Sequence, residues 1–178
     1  MTDALVAIDV QVGVVAGCHD AEAVVARIAR LVDRARSAGV PVVWVQDASD
    51  FAPGTAAWEI VPTLRPQPEE ALVHKSYRDA FVETGLRTAL ADAGASRLVV
   101  VGTQTDHCVR STAQRAAVEG FDVTLVGDAH TTRGVVRDDV VVTAEQIIAH
   151  TNHYWAGLRY PGQRFDVVDA DAVVLTRG

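Results

Sequence analysis

Cysteine is scarce in this chain: Cys18 and Cys108 stand 90 positions apart among 178 residues. Two thiols so far apart, in a chain without an export signal, do not make a disulfide framework, and each needs its own explanation. Grouped cations are missing too. Sixteen Lys plus Arg face 23 Asp plus Glu, a net charge of −7, and no basic run occurs. Nucleic acid and membrane surfaces are thereby excluded as partners, because both require clustered positive charge against phosphate. No apolar run approaches the roughly 20 residues that cross a bilayer, and Met1-Thr2-Asp3-Ala4 has neither the basic flank nor the apolar stretch of a signal peptide. A cytoplasmic protein is expected. Repeats, low-complexity tracts and linkers are also lacking, so residues 1–178 read as one domain. What the chain does have is apolar residues, 49% of the total, enough for a sizeable core.

Short Val/Ile/Leu runs alternate with longer amphipathic segments. Ala4–Ile8, Pro41–Val45, Ala71–Val73, Arg97–Gly102, Phe121–Val126 and Phe165–Val168 read as strands, the first being a continuous apolar run as expected for a strand covered on both faces. Between them, Val24, Ile28, Leu31, Val32 and Ala35 recur at helical spacing, with Asp20 as N-cap and Gly39 as stop. Leu86 to Ala93 reads as a helix closed by Gly94. Val109, Thr112, Ala113, Ala116 and Ala117 form a small-residue stripe ending at Gly120, and Thr143 with Gln146 is a capping box. The stretch from Ala48 to Pro68 is a long Pro/Gly/Ala-rich loop. These features predict a single-domain three-layer α/β/α fold with a mostly parallel, Rossmann-like sheet and helices on both faces.

Ligands of such sheets bind beyond the carboxyl ends of the strands. Three reactive side chains fall there: Asp9 after the first strand, Lys75 after the short third one, and Cys108 shortly after the strongest. Cys108 is expected at a helix N-terminus, where the dipole favours a thiolate. A fall in its pKa from about 8.5 to about 6.5 would raise the thiolate fraction at neutral pH from roughly 3% to roughly 75%. Asp9 could then serve as general base and acid, Lys75 as a counter-charge, and the backbone N–H groups around Gln104 and Cys108 as an oxyanion site. Each residue has a plain alternative: a turn-capping Asp, a solvated Lys, an inert buried Cys. Three independent caps would not converge on one end of one sheet. Cys18, in a loop, has no such position and reads as structural or incidental.

Ile8-Asp9-Val10-Gln11, His74-Lys75, and Gly102-Thr103-Gln104-Thr105-Asp106-His107-Cys108-Val109 followed by Thr112 and Ala116 resemble the isochorismatase-like cysteine hydrolases. The resemblance spans residue 4 to about residue 175. It implies a catalytic triad of Asp9, Lys75 and Cys108, and a non-proline cis peptide at Thr103–Gln104. Trp58-Glu59, Phe81 with Thr84, Gln104-Thr105 and Ile147 to Asn152 resemble the metal-independent branch that includes streptothricin hydrolase-like enzymes. Nicotinamidases of the family carry an Asp-x-His metal pair after the second strand, where this chain reads Gln46-Asp47-Ala48-Ser49-Asp50-Phe51. Neither metal nor other cofactor is therefore expected. Gln11, Trp58, Phe81 and Thr105 are candidate substrate-side residues, Trp58 because a flat ring stacks on planar amides; Trp155 is read the same way. His107 is read as loop packing or pocket wall, and His150 and Asn152 as pocket or subunit contacts. The implied activity is a cysteine-dependent amidase acting on a small-molecule amide or lactam through a thioester, in a homo-oligomer. A catalytically idle ligand-binding or assembly protein, a nicotinamidase-like enzyme and a thiol redox sensor remain alternatives.

Overall fold

The computed structural model describes residues 1–178. Six parallel strands form its sheet, in the order β3-β2-β1-β4-β5-β8: β1 (Asp3–Ile8), β2 (Val42–Asp47), β3 (Ala71–Lys75), β4 (Arg97–Thr103), β5 (Asp122–Thr131) and β8 (Phe165–Val168). Helix α2 (Ala21–Ser37) covers one face; α3 (Leu86–Asp92), α4 (Arg110–Val118) and α5 (Ala144–Gly157) cover the other. Alternation along β1 shows why its sequence is apolar throughout. Ala4, Val6 and Ile8 join the core with Leu86, Ala113 and Trp155, whereas Leu5 and Ala7 join the core under α2 with Ile28 and Leu31. No helix is long and apolar enough to cross a membrane.

The expected elements are present with shifted ends. β2 runs two residues beyond Val45 and β5 five beyond Val126, because the backbone pairs they make continue after the apolar run has ended. The pairing of β5 with β4 shifts register between Val100 and Gly102, and beyond it Gly102 faces His130 and Thr103 faces Thr131. Asp20 does occupy the N-cap of α2, but in left-handed conformation and without a side-chain bond, so it does not cap as expected. The capping box of Thr143 and Gln146 is formed. The sequence reading does not contain the short helix α1 (Val12–Val15), the 3-10 turns Pro62–Leu64 and Ala170–Ala172, or the hairpin of β6 (Val135–Arg137) with β7 (Val140–Val142). The valines of that hairpin alternate without a polar face, and Val136, Val140 and Val141 stay exposed.

β1 and β4 are neighbours although the strands β2 and β3 and the helices α2 and α3 separate them in sequence, so the strand order reverses between them and a crevice opens beyond their ends. Gly102 makes their close approach possible. Its φ is +126°, and a Cβ there would lie 2.0 Å from the Ile8 carbonyl oxygen. Gly102→Ala is expected to destabilise the protein by at least about 3 kcal/mol, read as a lowered urea midpoint. Gly85→Ala, where a Cβ meets nothing within 4 Å, should change stability by less than about 1 kcal/mol.

Candidate active site

Beyond the carboxyl ends of β1, β2, β3 and β4 lies a cleft of ≈ 500 Å³, with Asp9, Asp47, Gln104 and Cys108 in its lining and Phe51 and Tyr77 among its walls. A larger groove of ≈ 1010 Å³ runs beside β3 and α3, but it includes none of Asp9, Lys75 and Cys108. The reactive groups are in the smaller one.

At the floor sits Lys75, its side chain fully buried. Its Nζ lies 2.8 Å from Asp9 Oδ2, donates to Asp47 Oδ2 at 2.8 Å and donates to Cys108 Sγ at 3.3 Å. Lys75 belongs to the edge strand, two strands away from β1, and reaches the crevice because its register partner is Asp47 at the end of β2. Asp9, Lys75 and Cys108, chosen from three separate strand ends, are thus gathered around one ammonium. Asp47 was missed as a member of this group. A signal for it existed, since it stands at a strand end like Asp9, but the apolar run that marks the strand stops at Val45.

The two carboxylates have different surroundings. Asp47 Oδ1 accepts from the Ser49 amide and hydroxyl at 2.8 Å each and from the Asp50 amide at 3.0 Å, while Oδ2 is held by Lys75. Burial alone would raise its pKa, and these donors outweigh it and leave it below the usual carboxylate value. Ser49 stands where an Asp-x-His pair would place histidine and satisfies Asp47 instead. Asp9 is buried in a left-handed conformation (φ 48°), and its carboxylate oxygens accept no well-formed hydrogen bond. Burial pushes its pKa up to about 6 despite Lys75. Lys75 itself is drawn down by burial, but the charges of Asp9 and Cys108 and the Asp47 bond leave it above its ordinary value.

Cys108 stands at a helix N-terminus, as expected: it directly follows the non-helical His107 within a π turn, Thr105–Val109, that runs without a break into α4 (Arg110–Val118). The charge state of its thiol differs from the expectation. His107 in that turn has φ −113° and ψ −105°, and the His107 and Val109 amides both donate to the Gln104 carbonyl. Burial, with the negative charge of Asp9 beside it, pushes the thiol up to about 12 against the pull of Lys75. These surroundings raise the thiol and do not lower it towards 6.5. The Thr103–Gln104 peptide bond is cis, and Thr103 Oγ1 donates to the Asp9 carbonyl, which ties the ends of β4 and β1 together.

The expected substrate-side residues stand behind the cleft lining. Gln11 is consumed by structure: its Nε2 donates to the Asp47 and Trp58 carbonyls at 3.0 and 2.8 Å, and its Oε1 accepts from the Asp47 amide at 2.8 Å. It clamps the end of β2 and so places Asp47. Trp58 packs against His74, with ring centroids 5.4 Å apart, Phe81 and Trp155 lie in the core, and Thr105 Oγ1 lies 2.9 Å from His130 Nδ1. His107 lines the cleft, with Arg78 and Arg133, which sequence reasoning did not single out. Cys18 is buried below Gln104, donating to the Val14 carbonyl at 3.3 Å. Asn152 points to His130 and His150 is exposed.

A buried lysine between two carboxylates and a thiol, at the switch point of a parallel sheet, marks a candidate catalytic site in an α/β domain. The Isochorismatase domain matches residues 3–145, and the chain belongs to the isochorismatase family. It is 39% identical to a streptothricin hydrolase of Streptomyces noursei over 72% of this chain and 54% of that protein. It is 31% identical to a ureidoacrylate amidohydrolase of Methylobacterium radiotolerans over 50% of this chain and 47% of that one. The chain thus spans about half the length of these curated relatives. The crystal structure of an isochorismatase from Pseudomonas putida KT2440 superposes with a TM-score of 0.87 at 30% identity, covering 97% of this chain and 90% of that one.

Lys75→Ala would leave Asp9 and Asp47 buried without their cation, at an expected cost of about 3–5 kcal/mol near pH 7.5. An acid raised in the folded state, as Asp9 is, favours folding below its unfolded pKa and loses that contribution as pH rises through its folded value near 6. The deficit of the variant should therefore shrink between pH 7.5 and pH 5, where Asp9 takes up a proton, and urea unfolding at the two pH values checks it.

Proposed function

We propose that this protein is a cysteine-dependent amidase acting on a small amide or lactam. The observation that carries the reading is the Cys108 thiol held 3.3 Å from the Lys75 ammonium in a cleft shared with Asp9, a buried carboxylate without a well-formed hydrogen bond. Only the Lys75 ammonium, 2.8 Å from Asp9 Oδ2, offsets the burial of this carboxylate, and a proton arriving from a neighbouring thiol relieves what remains of that cost.

In this reading Asp9 accepts the thiol proton as Cys108 Sγ attacks the substrate carbonyl. Because the resting thiol is raised and the carboxylate only moderately so, proton transfer accompanies attack rather than preceding it. Lys75 offsets the negative charge passing between sulfur and carboxylate. Backbone N–H groups around Gln104 and Cys108 receive the oxyanion. Asp9 then returns its proton to the departing amine, the C–N bond breaks, and a thioester remains on Cys108. Water, deprotonated by Asp9, attacks the thioester and releases the carboxylic acid and the thiol. Asp47 stays ionised and keeps Lys75 in place. The size of the cleft suits a small molecule, and the names of the matched relatives, a streptothricin hydrolase and an amidohydrolase, support hydrolysis of a C–N bond.

Intact and peptide mass spectrometry during turnover of nicotinamide, small lactams and aliphatic amides tests the reading. At least one of them should give product and an acyl adduct on Cys108. Cys108→Ala should lower that hydrolysis by at least about 10³-fold while unfolding at the wild-type temperature. Hydrolysis retained in Cys108→Ala, or an adduct on Cys18 instead, would overturn it.

A further inference from the structure

Behind the nucleophile turn, the buried Thr105 and His130 and the half-buried Asn152 form a line whose hydrogen-bond directions are all determined. Asn152 of α5 has its Nδ2 2.9 Å from the Gly127 carbonyl. A carbonyl only accepts, so the amide NH₂ faces Gly127, and Asn152 Oδ1 is the atom 2.8 Å from His130 Nε2. An amide oxygen also only accepts, so Nε2 carries the imidazole proton. Burial holds His130 below its ordinary pKa, and the neutral ring then offers Nδ1 as an acceptor. The Thr105 hydroxyl, 2.9 Å away, donates to it. Gly127 leaves room for this arrangement, since a Cβ there would lie 3.2 Å from Asn152 Nδ2 and 2.9 Å from Val167 Cγ1.

Thr105 opens the π turn that carries Cys108. The following residue is anchored just beyond β5, the strand that carries His130, Thr132 Oγ1 donating to Asp106 Oδ1 at 2.6 Å. This turn has an irregular backbone at His107, so its own ladder does not define where Cys108 points. We propose that His130 and Asn152 are positioning residues, which hold the π turn through Thr105 so that Cys108 Sγ meets Lys75 and Asp9. The proposal rests on Cys108 being the nucleophile and adds what aims it. Neither residue touches the cleft lined by Cys108; both act through the turn.

The readout is the pH dependence of Cys108 alkylation by iodoacetamide from pH 6 to 11, followed by peptide mass so that Cys18 is counted separately. The ionisable groups around the sulfur are Asp9 and Lys75, with Asp47 behind Lys75 and Asp50, Tyr77, Arg78, His107 and Arg133 on the cleft wall. In the wild type the raised thiol should leave the rate still climbing at pH 10. Thr105→Val keeps the shape and removes the donor; its profile should move by about one pH unit or more towards the ordinary thiol value of about 8.5, as the sulfur leaves its buried site beside Asp9. Asn152→Leu, which leaves the turn's own sequence intact, should shift it the same way, and Thr105→Ser should restore the wild-type profile. Wild-type profiles in Thr105→Val and Asn152→Leu, with only a lower unfolding temperature, would overturn the proposal and leave the line a stabilising contact. Retained hydrolysis by Cys108→Ala would defeat the amidase reading instead, without altering where these profiles place the sulfur.

Discussion

An ammonium removed from water is tolerated only where opposite charge and hydrogen-bond acceptors replace its hydration, and the whole carboxyl end of this sheet is arranged around one such group. Lys75 Nζ is met by Asp9, Asp47 and the Cys108 sulfur, one from the end of β1, one from β2 and one from the turn after β4. Several otherwise unrelated features serve this point. β3 pairs with β2 as far as Lys75, so that the lysine lies opposite Asp47. Gln11 uses both ends of its amide to hold the end of β2. Gly102 lets β4 lie against Ile8, and Thr103 ties itself to the Asp9 carbonyl. Loss of the cation would leave two buried negative charges facing each other.

Two carboxylates sharing one ammonium need not be equivalent, and their environments separate them. Asp47 has donors on both oxygens and is held ionised, whereas Asp9 lacks well-formed bonds and is raised. Pairs of acids driven apart in this way divide holding from proton transfer. The same surroundings oppose a resting thiolate, because sulfur close to Asp9 would add a third negative charge around a single positive one. The Cys108 thiol is therefore coupled to Asp9, and its burial beside that carboxylate outweighs its place at the start of the helix that runs to Val118.

Much of this was legible in the chain. The strand-end rule found Asp9, Lys75 and Cys108 without any knowledge of their distances, since in a parallel sheet position along the sequence already places a residue at one end. It did not find Asp47, because β2 continues past its apolar residues, and strand pairing, which hydropathy does not report, sets that end. Gln11, Trp58, Phe81 and Thr105 read as substrate-side residues, yet none of them lines the cleft that Cys108 lines. Residues beside a reactive group look alike in sequence whether they face the cavity or the scaffold, and only side-chain direction distinguishes them. His130 and Asn152 lie 22 positions apart with a hairpin between them, and nothing in spacing reveals that one turns its imidazole to the other.

Periodicity and apolar runs by themselves determined the α/β class, the parallel sheet with both faces covered and the end at which Asp9, Lys75 and Cys108 lie, because these follow from burying a repeating pattern. Tertiary structure alone decided the protonation states. The pKa of Cys108 depends on burial and on a carboxylate 99 positions earlier in the chain, and electrostatic energy varies with distance and dielectric in space. Local sequence at Cys108 pointed to a lowered thiol; the packing around it raises it.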